Sequence, residues 1–203
     1  MPTTIRLATP DDAGQVQAIY APYCSTPISF ETDPPTVEAM RGRLAKVLGP
    51  YPWLVCEDGG EILGYAYATQ HRERAAYRWS VDTSVYARRG RQRRGVGRAL
   101  YTSLLAVLPL QGYVNAYAGV TLPNPASVGL HEALGFQPVG VYRQVGFKCG
   151  AWHDVAWFQR PLQPRPGEPL PPKRLEEVQH TSEWLAALNQ GLALLPQAIT
   201  TAP

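Results

Sequence analysis

The stretch from residue 79 to residue 108 constrains the fold more than any other. Trp79 to Ala87 reads as a strand, runs into a loop of arginines and glycines, and gives way to Leu100, Leu104, Leu105 and Leu108 at helical spacing, up to Pro109. A strand that ends in a basic, glycine-bearing loop and opens a helix makes an anion cradle. Its glycines allow close backbone approach, and the unpaired N–H groups and positive dipole end of the helix favour phosphate. Gln92-Arg93-Arg94-Gly95-Val96-Gly97 has the form Q/R-x-x-G-x-G. It lacks the Lys-Ser/Thr of a nucleotide-hydrolysing loop and the third glycine of a dinucleotide fingerprint.

Charge points the same way. The chain carries a formal +3, yet Arg88 to Arg98 holds six arginines and no acid, which leaves the remainder at −3. Such a patch implies an anionic partner, either a phosphate-bearing small molecule or nucleic acid. The glycines spaced through the patch and the lack of interleaved aromatics favour the small molecule. A nucleic-acid-binding module using Arg88 to Arg98 is the alternative, and its binding would weaken steeply with salt. No apolar run approaches membrane-span length, and the first twelve residues lack a leader pattern, so a cytoplasmic protein is expected. Cys24, Cys56 and Cys149 are too scattered for a zinc site or a disulfide framework; reduced thiols and no metal are expected.

Mixed α/β elements fill the rest. Ile5 and Leu7 mark a short edge strand; Thr9-Pro10-Asp11-Asp12 opens a helix through Val16, Ile19, Tyr20 and Tyr23. A turn-rich loop, Ser25 to Pro35, holds the isolated Phe30, and Thr36 caps a second helix. Trp53–Glu57 and Ile62–Thr69 flank Asp58-Gly59-Gly60 as a hairpin. Val114–Val120 is a strand, Pro125–Leu134 a helix between Asn124 and Gly135, and Gln137–Phe147 and Trp152–Leu162 a second hairpin. Six of the twelve residues from Pro161 to Pro172 are proline, an extended linker. Beyond it, Leu175, Val178, Leu185, Leu188, Leu192 and Leu195 form an apolar stripe that calls for a covering surface, supplied by its own domain or by a second subunit.

Three segments resemble the GNAT family of acetyl-coenzyme A-dependent N-acetyltransferases: Val85-Tyr86-Ala87 with QRRGVG and Arg98-Ala99-Leu100; LPNPASVGLHEALGF, Leu122 to Phe136; and GFKCGAWHDVAWFQR, Gly146 to Arg160. The last, with ISFET at Ile28–Thr32 and RAAYRWSVD at Arg74–Asp82, is similar to the phosphinothricin N-acetyltransferase branch. The resemblance spans about residues 4–162. It implies a mixed, mostly antiparallel sheet flanked by helices, opened beside the cofactor. Residues 1–162 would form the domain, 163–173 the linker and 174–196 an extra helix, read as an intersubunit clasp of a homodimer.

The resemblance also implies roles. Val85, Tyr86 and Ala87 would meet the pantetheine arm of acetyl-CoA, Arg93, Arg94, Gly95, Val96, Gly97 and Arg98 its pyrophosphate, and Asn124 the arm near the thioester. His131 stands where many members have a tyrosine beside the departing sulfur, and Asp82 where the branch has a glutamate, so base duty falls to Asp82, an ordered water or His131. Arg74 and Tyr77 match the branch's acceptor-binding stretch and Phe30 would wall the side-chain pocket, for phosphinothricin, methionine sulfoximine or methionine sulfone. A protein N-terminus or another amine is the alternative acceptor. Independently of any family, an amine attacks a thioester only as the free base, so the site needs a proton acceptor and a donor for the thiolate. Positioning replaces a nucleophilic side chain.

Overall fold

The computed structural model describes residues 2–90 and 94–195. Seven strands form one sheet: β1 (Thr4–Leu7), β2 (Trp53–Asp58), β3 (Glu61–Gln70), β4 (Ser80–Ala87), β5 (Asn115–Leu122), β6 (Gln137–Lys148) and β7 (Ala151–Pro161), in the spatial order β1-β2-β3-β4-β5-β7-β6. Every neighbouring pair is antiparallel except β4 and β5. That parallel pair spans only Ser80–Asp82 against Asn115–Tyr117. Beyond it each strand keeps its outer partner, β3 or β7, and the two diverge.

Side chains alternate along each strand, so each face has its own core. Helices α1 (Ala13–Tyr20) and α2 (Val37–Val47) cover one face, where Ile19, Met40 and Leu44 pack on Trp53, Val55 and Tyr65. Helix α3 (Val96–Val107) and α4 (Pro125–Ala133) lie on the other, over Leu54, Ala66, Val81, Ala116 and Phe158. Local chemistry starts α2 and α4 where the sequence predicts. The Thr36 hydroxyl accepts from Ala39 N at 3.1 Å, and the Asn124 amide oxygen from Ser127 N at 3.1 Å. Gly135 ends the α4 turn at φ +80°, where a side chain would be strained.

The C-terminal stripe differs from its expectation. It is not one helix over 174–196: a 3-10 turn (Leu175–Glu177) comes first, and the Thr181 hydroxyl caps a new helix, α5 (Ser182–Leu192), by accepting from Trp184 N at 3.2 Å. Its apolar face is, moreover, taken up by α3 of its own domain, with Trp184, Ala187 and Leu188 buried. Ser103 Oγ donates to Leu188 O at 2.7 Å, and Gly191 sits so close to α3 that a Cβ would overlap the Ala99 carbonyl. The proline-rich segment follows the domain surface. Trp79 Nε1 donates to Leu170 O at 2.7 Å, and Gln111 and Lys173 exchange bonds at 2.7 and 3.0 Å.

Gly191→Ala is therefore expected to destabilise the protein by about 1–3 kcal/mol, several degrees of Tm for a chain of this size, through overpacking against α3. Gly129→Ala, at a helical position with open space around it, is expected to be neutral or stabilising. Paired thermal melts check both.

Candidate active site

The divergence of β4 and β5 makes the site. Past the Asp82–Tyr117 rung the backbone groups of Thr83–Ala87 and Ala118–Leu122 have no strand partner across the gap, and Thr83 Oγ1 closes its base by donating to Tyr117 O at 3.1 Å. Unpaired strand edges offer hydrogen bonds to any amide-bearing chain laid between them. Thr83 to Tyr86, Gly119 to Thr121, Asn124, Ser127 and His131 line the groove, with Tyr101 below and Ile28 from the α1–α2 loop above. At the α3 end Gly95 takes φ +84° as the helix start, and among the described residues no side chain caps it; first-turn N–H groups of this kind suit an anion.

The alternation places Asp82 and His131 on opposite faces. Val81, Thr83 and Val85 face α3 and α4, so Asp82, Ser84 and Tyr86 face α1; the Tyr86 ring meets Tyr20 at 5.1 Å. Tyr117, Gly119 and Thr121 share the Asp82 face, where Trp157 and Val155 crowd Gly119. His131 belongs to the other layer, beside Phe136 and Phe158.

His131 is buried and its ring nitrogens are both engaged. Nδ1 lies 2.7 Å from the Ser127 carbonyl, which can only accept, so Nδ1 carries the proton. Nε2 of the neutral ring then accepts from the Tyr101 hydroxyl at 3.2 Å. Burial lowers the His131 pKa below its usual value, opposed by the bond to Ser127. Tyr101, wholly buried, is held as a phenol, its pKa raised by burial. Its position inside the apolar α3 stripe gave no sequence signal of a polar role.

Asp82 has a different partner, one the sequence reading missed. His71, just past the end of β3, lies with Nδ1 2.6 Å from Asp82 Oδ1. Burial raises the Asp82 pKa above the ordinary carboxylate value, opposed by His71 and by the nearby charge of Arg72. The Arg72 guanidinium sits 5.7 Å over the Trp157 ring. The β3–β4 hairpin register would have revealed His71, since Thr69 pairs with Asp82 and a residue two further along shares its face.

The acceptor-side candidates are spread out. Phe30 packs on Gly146 and His153 in the second hairpin. Its loop is anchored there by buried Lys148, whose Nζ donates to Glu31 O at 2.6 Å and to Ser29 O, and by a bidentate Arg43–Glu31 pair. Tyr77 meets the His71 ring edge-on at 6.0 Å. The Arg74 side chain is exposed, and Arg72 is the arginine beside Asp82. A wider cavity of about 500 Å³ opens one strand away, between α2 and Trp53, Tyr67 and Thr69; the unpaired strand edges, Tyr101 and His131 line the narrower groove, and Asp82 lies at the rung from which it opens. In the basic patch, Arg88 donates to Ile62 O and Arg89 to Pro22 O, so these two arginines fold back on the domain, whereas Arg94 and Arg98 are exposed. Arg93 lies outside the described residues. Val96 opens α3 and is buried, and Gly97 packs over Val85. Among the described residues no His/Cys/Asp/Glu group could hold a metal.

The sequence profile of the acetyltransferase (GNAT) domain matches residues 5–157. Phosphinothricin N-acetyltransferase of Streptomyces viridochromogenes is 41% identical over 174 residues, 83% of this chain and 95% of the relative. The L-methionine sulfoximine/L-methionine sulfone acetyltransferase of Pseudomonas paraeruginosa is 34% identical over 83% of this chain and the whole of that protein. Among solved structures, a GNAT superfamily phosphinothricin acetyltransferase from Sinorhizobium meliloti in complex with acetyl-CoA superposes with a TM-score of 0.76 at 34% identity, covering 82% of this chain and 95% of the other.

The buried, neutral His131 yields an expectation. Its Cε1–H NMR resonance is expected to titrate below the ordinary midpoint of 6.5. Because the folded value is depressed, the unfolded chain binds the proton more readily, so this group withdraws stability as pH falls below about 6.5. His131→Phe should flatten that part of the stability–pH curve, as read by urea titration at several pH values.

Proposed function

Since the chain belongs to the GNAT acetyltransferase family, we propose that it transfers the acetyl group of acetyl-CoA directly to the α-amino group of a small amino-acid-like acceptor of the phosphinothricin, methionine sulfoximine or methionine sulfone type. The observation that carries this reading is the β4–β5 groove, with the Gly95 helix start at one end and Asp82 and Tyr101 on opposite faces. The relatives' named activities supply the acceptor class. Val85, Tyr86, Ala87 and Asn124 would hold the pantetheine arm, and the loop from Arg93 to Arg98 the pyrophosphate.

Acetyl-CoA supplies an acyl thioester open to attack by an amine. The protein's own groups manage position and protons. Asp82, ionised, takes the proton that the amine sheds as its new C–N bond forms. On the other face the Tyr101 hydroxyl lines the groove with its one proton resting on His131 Nε2; turned from His131 to the departing sulfur, that proton neutralises the thiolate, and the Tyr101 oxygen regains a proton from solvent as coenzyme A leaves. Ile28 and Phe30 close the acceptor side, held in place by Lys148. Arg74 and Tyr77 remain in the proposal as acceptor contacts, with Tyr77 adjoining the His71–Asp82 pair.

A homodimer in the cytoplasm is part of the same proposal. Strand β6 is the sheet edge and leaves Val139, Val145 and Phe147 exposed, next to Trp152 of β7. An apolar edge of this kind is a natural pairing surface. The three cysteines are free thiols, as a reducing compartment maintains.

Thiol release from acetyl-CoA with each of the three acceptors tests the activity, and no turnover at millimolar acceptor refutes it. Asp82→Asn is expected to lower kcat/KM by roughly 10²–10⁴. Phe147→Glu combined with Trp152→Glu is expected to convert the dimer to a monomer in sedimentation; a monomeric wild-type chain at micromolar concentration refutes the dimer.

A further inference from the structure

We propose that His71 is the positioning residue of the general base, fixing one oxygen of Asp82 so that the carboxylate stays ionised and presents the other to the acceptor amine. This rests on the reading of Asp82 as the base.

The geometry of the pair is unusually determined for a loop side chain. The His71 ring lies flat on Tyr117, with centroids 4.2 Å apart and planes 12° from parallel. Tyr77 and Trp157 meet it edge-on at 6.0 and 6.4 Å. With the ring clamped on three sides, Nδ1 is directed at Asp82 Oδ1, 2.6 Å away. A carboxylate oxygen accepts, so Nδ1–H donates. Among the described residues no hydrogen bond reaches Oδ2. The His71 side chain is only 11% exposed, so little water competes for the bond.

The need for such a partner follows from where Asp82 sits. It is half-buried among Thr69 and Tyr67 of β3 and Tyr117 of β5, and burial alone favours the protonated carboxyl, which cannot act as a base. Two groups oppose that tendency. The hydrogen bond from His71 stabilises the ionised form, and the positive charge of Arg72 adds to it at longer range. Of the two, His71 alone touches the carboxylate, and it also sets the direction of Oδ2. Aspartate is one methylene shorter than glutamate, so a fixed second oxygen matters more here than on a longer arm. The bond thus supports both ionisation and aim.

The test separates donation from packing. His71→Phe keeps a ring on Tyr117 but removes the donor; His71→Asn restores a donor, since its side-chain N–H₂ occupies the place of Nδ1. A raised Asp82 pKa means the base is ionised only at higher pH. The acid limb of the kcat/KM profile is therefore expected to move up by about 1–2 pH units in His71→Phe, to return toward wild type in His71→Asn, and to converge on wild-type rates at alkaline pH. The Asp82 carboxyl, followed by ¹³C NMR, should show the same shift even if turnover is lost, with the KM for acetyl-CoA unchanged wherever turnover persists. An unmoved limb and an unmoved carboxyl titration in His71→Phe overturn the proposal, as does a His71→Asn variant indistinguishable from His71→Phe. Asp82→Asn, assayed alongside, locates any failure. Full activity in that variant overturns the assignment of the base itself, and a loss there with an unmoved His71→Phe profile overturns only the role of His71.

Discussion

Three rungs of parallel pairing, Ser80–Asp82 against Asn115–Tyr117, govern everything that follows in this molecule. A sheet of antiparallel hairpins has no reason to open, because each strand is stitched to its neighbour from a tight turn outward. One parallel junction, joined through α3 instead of a hairpin, is free to splay once its short ladder ends. Thr83 marks the end by spending its hydroxyl on the Tyr117 carbonyl. From that rung outward β4 and β5 each face a gap, and the backbone groups lining it are open to water or to a ligand's own amides.

In the proposed mechanism the gap lets proton-handling groups come from both sides of the sheet. In an intact sheet Asp82 and His131 would be separated by a layer of backbone. Here the opening joins the two faces, with Tyr101 and His131 lining the groove from the α3 side and Asp82 on the α1 side at the rung where it begins. Their surroundings divide the labour. His131 is surrounded by Phe136 and Phe158 and stays neutral, with its ring spent on Ser127 and Tyr101. Asp82 sits in a half-buried site with a histidine donor and an arginine nearby, an environment in which a carboxylate can hold its charge.

Support for the groove comes from farther off. The α1–α2 loop would have little to hold it in place, but Lys148 reaches from β6 to the Glu31 carbonyl, and Arg43 clamps the Glu31 carboxylate. On the opposite face α5 presses on α3 through Gly191, and the chain beyond it brings Leu194 and Leu195 beside Gly95. Helix α3, whose start is the proposed anion cradle, is thus backed by a segment outside the matched domain.

How much of this was legible depended on range. Thr36, Asn124, Gly95 and Gly135 act within a turn of their own positions, so the caps of α2 and α4 and the glycine positions at the start of α3 and the end of α4 could be read directly. Alternation and turn chemistry located the seven strands, and the arginines beside Gly95 announced an anion. His71 and Tyr101 were invisible for opposite reasons: the first lies in a loop and acquires its role only from the hairpin register, the second hides as one more large residue on a buried helix face. The C-terminal stripe displayed an apolar face without stating its partner, because hydrophobic burial has no address. Sequence alone determined the seven strands, the caps of α2 and α4 and the chemistry in supply, since these rest on contacts a few residues apart. Tertiary structure alone decided which face each titratable group occupies, which histidine meets Asp82 and where α5 docks, since those depend on register and packing between segments far apart in the chain.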